Sequence, residues 1–319
     1  MPLILPTLRC APSLQSEAAF ESYSCAVDVY LIDGTYELFR HFFALPSHTN
    51  GRGEEVAATR GVLGYVLGLI ESGASHIGVA TDHVIESFRN GMWAGYKTGE
   101  GIEPSLLAQF PLLEDGLQAL GVATWPMTDL EADDALAAAA VFAAGVPEVD
   151  RVLVCTPDKD MAQLVSDGRV VQRVDSRSGA IRDEAGVIER FGVAPASIPD
   201  YLALVGDSSD GFPGLPGWGA KSAAAVLFRY SHLEAIPDDC RAWDVPVRGA
   251  EKLAVTLQAN RDLALLFRDL ATLRTHAPAL TSIEDLRWLG PTEAFIEFSA
   301  RVDQPQLLQR AQSLARRGL

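Results

Sequence analysis

The sequence predicts an α/β fold, with a mostly parallel central sheet that has helices on both faces and is followed by a C-terminal helical region. Segments rich in β-branched residues alternate with segments of helical length in the first half of the chain. This alternation is typical of parallel sheets, because each crossover between parallel strands needs a long connection. The second half is predicted to consist mainly of helices. With 319 residues, the chain can form one large domain or a main domain and a smaller one.

Three predicted strands end in aspartate. The predicted strand in CAVDVYLIDGT ends at Asp33, the strand in SHIGVATD ends at Asp82, and the strand in RVLVCTPDKD runs to a turn that contains Asp158. Gly34 predicts a turn directly after the first strand, and VLGYVLGLIESG predicts a helix that stops at Gly73. Ligands of open α/β sheets bind at the carboxyl ends of the strands. We therefore expect these three aspartates to converge on one crevice.

The segment TDLEADDALAAAA places four carboxylates in front of an alanine-rich run that predicts a helix. Acidic residues are favoured in the first turn of a helix, and Thr128 with Glu131 matches a capping box. These effects account for one or two of the acids. Glu131, Asp133 and Asp134 together repel one another unless a cation lies among them. Because this helix is expected to start at the same sheet edge, we interpret the segment as one wall of a carboxylate pocket.

A second region is predicted to begin near residue 195. SIPDYLALVG predicts a short helix with Ser197 as its N-cap and Pro199 in its first turn. An acidic turn, a glycine-rich hairpin and a helix from about Lys221 follow in DSSDGFPGLPGWGAKSAAAVLFRY. The backbone N–H groups of such an arrangement can hold a phosphate without reading bases, although glycine caps of an ordinary helical connection give the same pattern. Residues from about 250 onward predict packing helices.

Composition and charge restrict the class of protein. A hydrophobic fraction of 48% with 21% charged residues is typical of globular proteins. The net charge of -16 argues against a surface that coats nucleic acid, so any such contact must be local. The four cysteines form no CxxC pair, which fits a reduced cytoplasmic compartment. No apolar run has the length of a membrane span, and residues 1–24 predict a poorly ordered extension instead of a signal peptide.

Five motifs in a fixed order carry a family resemblance: LIDGT, ATDHVIESFRNGMWAGYK, LEADD, TPDKDMAQL and GDSSDGFPGLPGWGAKSA. From about Val27 to Tyr230, the chain resembles the 5′ nuclease family of bacterial 5′-3′ exonucleases, DNA polymerase I 5′ nuclease domains and flap endonucleases. The resemblance implies a PIN-like nuclease domain at 25–194, with a helical arch around 83–111. It also implies a helix-three-turn-helix and C-terminal helical region at 195–319, and hydrolysis of DNA at 5′ ends, nicks or flaps in replication or repair.

The resemblance further implies a metal site. The family has acids at nine positions that are all filled here: Asp33, Asp82, Glu131, Asp133, Asp134, Asp158, Asp160, Asp207 and Asp210. Oxygen-only ligands suit Mg²⁺, with Mn²⁺ as a substitute, and two such ions can activate water and stabilise the leaving oxygen. Lys97 and Arg89 occupy the positions of basic residues that contact the phosphate near the cut. Gly217, Gly219 and Lys221 are expected to contact the duplex backbone, where K⁺ can also bind.

The resemblance has two departures, and it leads to expectations about partners. Glu100 lies where relatives place a further basic arch residue, and Pro157 lies where they have a small residue. Because the polymerase portion of some relatives is absent, we expect a free-standing nuclease or a partner of a separate DNA polymerase. We also expect a monomer without membrane association. Without the nine site acids the net charge of -16 becomes -7, so DNA binding should be modest and salt-dependent.

Three other functions are alternatives to a DNA 5′ nuclease. LIDGT is similar to the nucleophile motif of HAD-type phosphatases, but that motif needs an aspartate two residues before Asp33, where this chain has Leu31. A non-catalytic DNA-structure-binding relative would be expected to lack some of the acids. A PIN-type ribonuclease or an RNase H-like activity stays open, although PIN domains use fewer acids and lack the glycine hairpin.

Overall fold

The central sheet determines where the acidic residues meet. The computed structural model describes residues 26–166, 168–176, 178–277 and 280–317, so the predicted extension at 1–24 lies outside the described residues. The strands in these ranges are β1 (Val27–Asp33), β2 (His76–Asp82), β3 (Ala123–Met127), β4 (Val149–Cys155), β5 (Val170–Arg173) and β6 (Ile181–Arg182). They form one sheet in the order β3-β2-β1-β4-β5-β6. All neighbouring pairs are parallel except β5 with β6, which confirms the mostly parallel sheet.

Helices surround this sheet and continue beyond it. In the first half they are α1 (Gly34–Ala44), α2 (Ala57–Glu71), α3 (Phe88–Met92), α4 (Pro104–Leu107), α5 (Gln109–Leu120) and α6 (Ala132–Ala144). In the second half they are α7 (Glu184–Phe191), α8 (Ile198–Val205), α9 (Ala220–Tyr230), α10 (Ala250–Ala259), α11 (Arg261–Ala271), α12 (Ala294–Arg301) and α13 (Pro305–Ala315). Short 3₁₀ turns cover Asp160–Leu164, Pro195–Ser197, Leu233–Ala235, Cys240–Ala242 and Ile283–Leu286.

Both faces of the sheet are covered by helices, as predicted. Alternate side chains of a strand point to opposite faces. Ile32 therefore packs into a cluster with residues of α2 and α5, whereas Leu31 packs against the alanine-rich α6. No helix in the described ranges is both long enough and apolar enough to cross a membrane.

The chain after β1 differs from the sequence prediction. The expected turn at Asp33 and Gly34 is wrong, because α1 begins directly at Gly34. Asp33 is its N-cap, and the Oδ1 atom accepts a hydrogen bond from the backbone N–H of Tyr36 at 2.8 Å. A Cβ atom at Gly34 would lie 2.7 Å from the carbonyl oxygen of Ala80. Glycine is therefore needed where α1 passes close to β2.

The start of α6 also differs. The predicted N-cap, Thr128, lies outside this helix, and Glu131 is the N-cap. Asp134 takes the role that was predicted for Glu131, since its Oδ2 atom accepts a hydrogen bond from the backbone N–H of Glu131 at 3.1 Å. The capping pattern is thus displaced by three residues. In α8, Ser197 is the N-cap as predicted, although its side chain makes no capping hydrogen bond.

Most helices of the second half pack into two hydrophobic clusters. Residues from α8, α9 and α11 share a cluster, which we call the hairpin cluster, that includes Phe212 and Trp218 of the glycine-rich hairpin. Trp288, Phe295 and Leu314 instead belong to the cluster of α2 and α5, because α12 and α13 return to the sheet domain. The boundaries 25–194 and 195–319 stay predictions. The packing adds that residues after about 288 belong with the sheet.

Candidate metal centre

Three strand ends bring aspartates together at one edge of the sheet. Asp33 and Asp82 end the adjacent strands β1 and β2, and Asp158 follows β4, which is the other neighbour of β1. The Oδ2 atom of Asp33 accepts a hydrogen bond from the hydroxyl of Thr156 at 3.0 Å. The Oδ1 atom of Asp82 accepts one from the backbone N–H of Ala132 at 2.7 Å, which joins the end of β2 to the start of α6. The predicted convergence of the three aspartates is therefore confirmed.

Asp133 completes this set, which we call the sheet-edge group: Asp33, Asp82, Asp133 and Asp158. Burial raises the pKa of Asp33 to about 7, and the charges of Asp82 and Asp158 contribute to this increase. Burial, followed by the charges of Asp158 and Asp33, raises the pKa of Asp133 well above its usual value. Carboxylates that interact this strongly retain protons near neutral pH unless a cation compensates their charge. The arrangement therefore favours a bound cation.

A second set, the turn group, consists of Asp160, Asp207 and Asp210. One carboxylate oxygen of each lies within 4.8 Å of the others. Asp160 begins the 3₁₀ turn after β4, and the other two lie in the turn after α8, which closes by backbone pairing of Asp207 with Phe212. Burial raises the pKa of Asp160 well above its usual value, and that of Asp210 to about 6.

One atom of the turn group tests whether a metal ion fits. The Oδ1 atom of Asp160 is buried and has no hydrogen-bond partner among the described residues, and the side chain is 5% exposed. A buried carboxylate oxygen without a partner is costly. A divalent cation beside the three carboxylates would compensate this cost, and oxygen-only donors suit Mg²⁺ or Mn²⁺. The residues of the turn group therefore fit a hard divalent ion.

Two lysines are held inside this acidic region. The Nζ atom of Lys97 lies 2.9 Å from Oε2 of Glu131 and 3.2 Å from Oδ1 of Asp210. Burial alone would lower the pKa of Lys97, but Asp210 and Glu131 raise it well above the usual value. The Nζ atom of Lys159 lies 2.7 Å from Oδ1 of Asp207. No role was predicted for Lys159, although its position between Asp158 and Asp160 in the sequence indicates a place in the acidic region.

Lys97 belongs to a segment that spans the pocket, residues 87–97, which we call the bridging segment. At one end, the Ser87 hydroxyl donates to Oε1 of Glu131 at 2.5 Å. At the other end, the backbone N–H of Lys97 donates to the carbonyl oxygen of Asp210 at 3.0 Å. Gly211 permits this approach, because a Cβ atom there would collide with the carbonyl of Gly95. Within the predicted arch at 83–111, the regular elements are α3, α4 and the start of α5, and the arch itself stays a prediction.

Glu131 is enclosed by basic residues. Its Oε2 atom also accepts a hydrogen bond from the Tyr96 hydroxyl at 3.2 Å. Burial alone would raise the pKa of Glu131, but Lys97 and Arg89 lower it below the usual value. Glu131 is therefore ionised at neutral pH, between the bridging segment and the sheet-edge group.

Arg89 and Asp134 are placed differently from the prediction. The Arg89 side chain is 2% exposed and Asp134 is fully buried. The Nη1 and Nη2 atoms of Arg89 donate to the two carboxylate oxygens of Asp134, each at 2.8 Å. The metal and phosphate roles that the resemblance implies for these two residues stay predictions, but the placement bears on both. Arg89 presents no accessible donor to a phosphate, and Asp134 directs its carboxylate to Arg89 and not to the metal pocket.

Family comparisons agree with this geometry. Residues 28–192 match the family described as 5′-3′ exonuclease, N-terminal resolvase-like domain, and residues 193–294 match the 5′-3′ exonuclease, C-terminal SAM fold. The chain belongs to the 5′-3′ exonuclease family.

Relatives of this 5′-3′ exonuclease family member differ in length. DNA polymerase I of Pseudomonas aeruginosa is 36% identical over 267 residues, which cover 80% of this chain but 28% of that protein. The 5′-3′ exonuclease of Buchnera aphidicola is 27% identical over 262 residues, which cover 81% of this chain and 90% of that protein. The chain thus spans less than a third of the length of this polymerase relative.

The fold is also similar to that of a bacteriophage T5 flap endonuclease variant, whose structure contains DNA and metal ions. The TM-score is 0.60 at 21% identity, and the match covers 91% of this chain and 98% of that one. At this identity the similarity concerns the fold alone.

The glycine-rich hairpin lies beside a cavity of about 560 Å³ that is lined by Gly217, Gly219, Lys221, Ser222 and Arg248. The resemblance implies DNA contact for Gly217, Gly219 and Lys221, but no sequence motif pointed to Arg248, which comes from the loop before α10. Neither cation forms an ion pair with an acid in the described ranges. The cavity is therefore basic, in contrast to the carboxylate pocket.

Proposed function

We propose that this 5′-3′ exonuclease family member is a Mg²⁺-dependent 5′ nuclease that hydrolyses DNA at 5′ ends, nicks or flaps. The main support is the turn group, where a buried oxygen of Asp160 has no partner among the described residues and two more carboxylates lie within 4.8 Å. A pocket of this composition has little use in a protein that binds DNA without metal, because a phosphate would be repelled.

The charges in the pocket support the need for two ions. Asp134 is neutralised by Arg89, and if the other eight acids are ionised, Lys97 and Lys159 offset two of their charges, which leaves six. Two divalent ions would reduce this to two. The sheet-edge group would hold one ion and the turn group the other, and the bound ions would supply an activated water and stabilise charge on the scissile phosphate.

The protein residues contribute orientation and positive charge. Glu131 and Asp210 hold the Lys97 ammonium in its charged form, so Lys97 acts as a hydrogen-bond donor to a phosphate oxygen and not as a base. Arg89 takes no direct part because it is buried. Thr156 and the N–H of Tyr36 hold the Asp33 carboxylate in place.

The hairpin cavity is proposed to bind the duplex backbone. Lys221, Arg248 and the N-terminus of α9 offer positive charge and N–H groups without base-reading side chains. Binding of K⁺ near Gly217 and Gly219 is kept as a proposal. A separate DNA polymerase is the proposed partner, because the relative from Pseudomonas aeruginosa carries the matching region within a DNA polymerase I.

The test is cleavage of end-labelled substrates by the wild type and Asp133→Asn. Asp133 is chosen because it interacts with the other acids of the sheet-edge group, whereas changing Asp134 would remove both hydrogen bonds that Arg89 donates to it. With Mg²⁺ or Mn²⁺, the wild type should release 5′ products from a flap duplex and a nicked duplex. Asp133→Asn should reduce kcat by about 100-fold or more, the usual loss for an electrostatic contact at a reacting phosphate or carbonyl.

Asp262→Asn is the matched control, because Asp262 is exposed on α11. It should cleave like the wild type, and EDTA should abolish all cleavage. An RNA-labelled hybrid in parallel separates a DNA nuclease from an RNase H-like activity. DNA binding without cleavage under either metal would reject the proposal.

A further inference from the structure

Arg89 and Asp134 form a buried ion pair whose hydrogen bonds are fully used. Each oxygen of Asp134 accepts one hydrogen bond from the Arg89 guanidinium. Oδ1 also accepts the backbone N–H of Arg274 at 2.8 Å, and Oδ2 accepts the backbone N–H of Glu131 at 3.1 Å. A carboxylate offers about four lone-pair sites. Asp134 therefore has none left for a metal ion.

The pair joins three separate parts of the chain. Arg89 lies in the bridging segment and Asp134 in the first turn of α6. The Nε atom of Arg89 donates to the carbonyl of Leu270 at 2.9 Å, and Nη2 donates to that of Thr272 at 3.2 Å. Both carbonyls lie at the end of α11, which packs against α8. The turn with Asp207 and Asp210 follows α8, so the pair connects the elements that carry both carboxylate groups.

The pair also determines where Glu131 lies. Asp134 holds the Glu131 backbone N–H, and Nη1 of Arg89 lies 3.3 Å from Oε1 of Glu131. Glu131 in turn holds Lys97 at the pocket. A shift of the pair would therefore be transmitted to Glu131 and Lys97, although neither member of the pair reaches the pocket itself.

We propose that Arg89 and Asp134 are positioning residues that fix Glu131 and the bridging segment, and that they contact neither metal nor phosphate. The inference rests on the proposed function for the identity of the pocket. Its test, however, measures metal binding without DNA, so failure of cleavage and failure of this inference give different results.

The experiment is a double-mutant cycle of Arg89→Met, Asp134→Leu and both together, with Mn²⁺ affinity measured by electron paramagnetic resonance. Arg89→Met removes the cation beside Asp134, and Asp134→Leu leaves Arg89 with only the 3.3 Å ion pair to Glu131. Each should lower Mn²⁺ affinity by about 10-fold to 100-fold, as the loss of a residue that orients a metal ligand does. The double variant replaces the pair by apolar side chains. It also removes both contacts to Glu131, so its affinity should stay about 10-fold to 100-fold below the wild type, close to that of the single variants, because residues that act as a unit are not additive.

Asp133→Asn provides the comparison with a proposed ligand. Its loss of Mn²⁺ affinity should persist when it is combined with the apolar double variant. If Asp134 were itself a ligand and Arg89 contacted only the phosphate, Arg89→Met alone would not weaken Mn²⁺ binding. That result would overturn the inference.

Circular dichroism will show which variants fold. If the single variants do not, Arg89→Lys decides, because it keeps the charge and loses the two-pronged contact with Asp134. A positioning role predicts weaker Mn²⁺ binding by Arg89→Lys in the absence of DNA. A direct phosphate contact predicts unchanged Mn²⁺ binding, which would overturn the inference.

Discussion

The two carboxylate oxygens of Asp33 have different hydrogen-bond partners. Its Oδ1 atom caps α1 through the N–H of Tyr36, and its Oδ2 atom is held by Thr156. The aspartate is nevertheless buried beside Asp82 and Asp158, which is why its pKa rises to about 7. The sequence predicted Asp33 as a site residue but not as the N-cap of α1. A glycine after an aspartate is common in turns, whereas here Gly34 is needed because α1 passes close to β2.

The raised pKa predicts an unusual pH dependence for the metal-free protein. Between pH 4 and 7, the folded state holds a proton on Asp33 that the unfolded state has released, so stability decreases as pH rises through this window. From pH 8 to pH 6.5, Asp33 alone should add about 0.8 kcal/mol to the free energy of unfolding. Below pH 6.5, His41 and His76, whose pKa values are lowered by burial, act in the opposite direction.

Urea unfolding in EDTA at pH 8.0 and 6.5 measures this effect. The midpoint should be higher at pH 6.5, and Asp33→Asn should reduce the difference while keeping an oxygen that can cap α1. Saturating Mg²⁺ should stabilise the protein more at pH 8.0, because protons compete with the metal. A lower midpoint at pH 6.5 in EDTA would contradict the raised carboxyl pKa.

At the scale of elements, α6 shows what sequence patterns can and cannot determine. The alanine-rich run predicted the helix, and the strand ends predicted the edge at which it begins. The N-cap was displaced from Thr128 to Glu131 because Asp134 accepts the N–H of Glu131. The partner of Asp134 is Arg89, 45 residues earlier, and no local pattern indicates that contact.

Arg248 illustrates the same limit. It lies 27 residues after Lys221 in the sequence, yet both side chains line one cavity at the start of α9. The sequence pattern of a glycine-rich hairpin followed by a helix located Lys221. The loop that brings the second is set by the packing of Trp243 and Leu253 in the hairpin cluster, which depends on tertiary structure.

The hairpin element predicts a specific salt dependence. Lys221→Ala and Arg248→Ala should each weaken duplex binding by about 3-fold to 10-fold at low salt, and each should reduce the slope of log K against log salt by about 1. Fluorescence anisotropy with Asp133→Asn as the background avoids cleavage. Arg316→Ala is the control, since Arg316 is exposed beside a different cavity. Unchanged slopes for both hairpin variants would place the duplex elsewhere.

At the scale of the whole molecule, the two acid groups come from two differently packed parts. The sheet-edge group belongs to the sheet domain, and two of the three turn-group acids follow α8 in the hairpin cluster. The alternation of elements made the sheet predictable. The cluster against which α12 and α13 pack was not predictable, because their amphipathic pattern fits both the cluster of α2 and α5 and the hairpin cluster.

The C-terminal helices are therefore expected to stabilise the nuclease domain itself. The family match ends at residue 294, where α12 begins, but Phe295 is fully buried in the cluster of α2 and α5 and stacks on Phe298 with ring centroids 6.2 Å apart. Phe295→Ala should lower the free energy of unfolding by about 3–5 kcal/mol, the usual cost of a large core cavity.

Its neighbour supplies the matched control. Ile296 is 55% exposed, so Ile296→Ala should change the free energy of unfolding by about 0.5 kcal/mol or less. Urea unfolding of both variants, followed by circular dichroism, separates the two cases. If Phe295→Ala costs no more than Ile296→Ala, then α12 does not contribute to the core. If it costs the expected amount, the sheet that aligns Asp33, Asp82 and Asp158 depends on residues that lie beyond the matched family region.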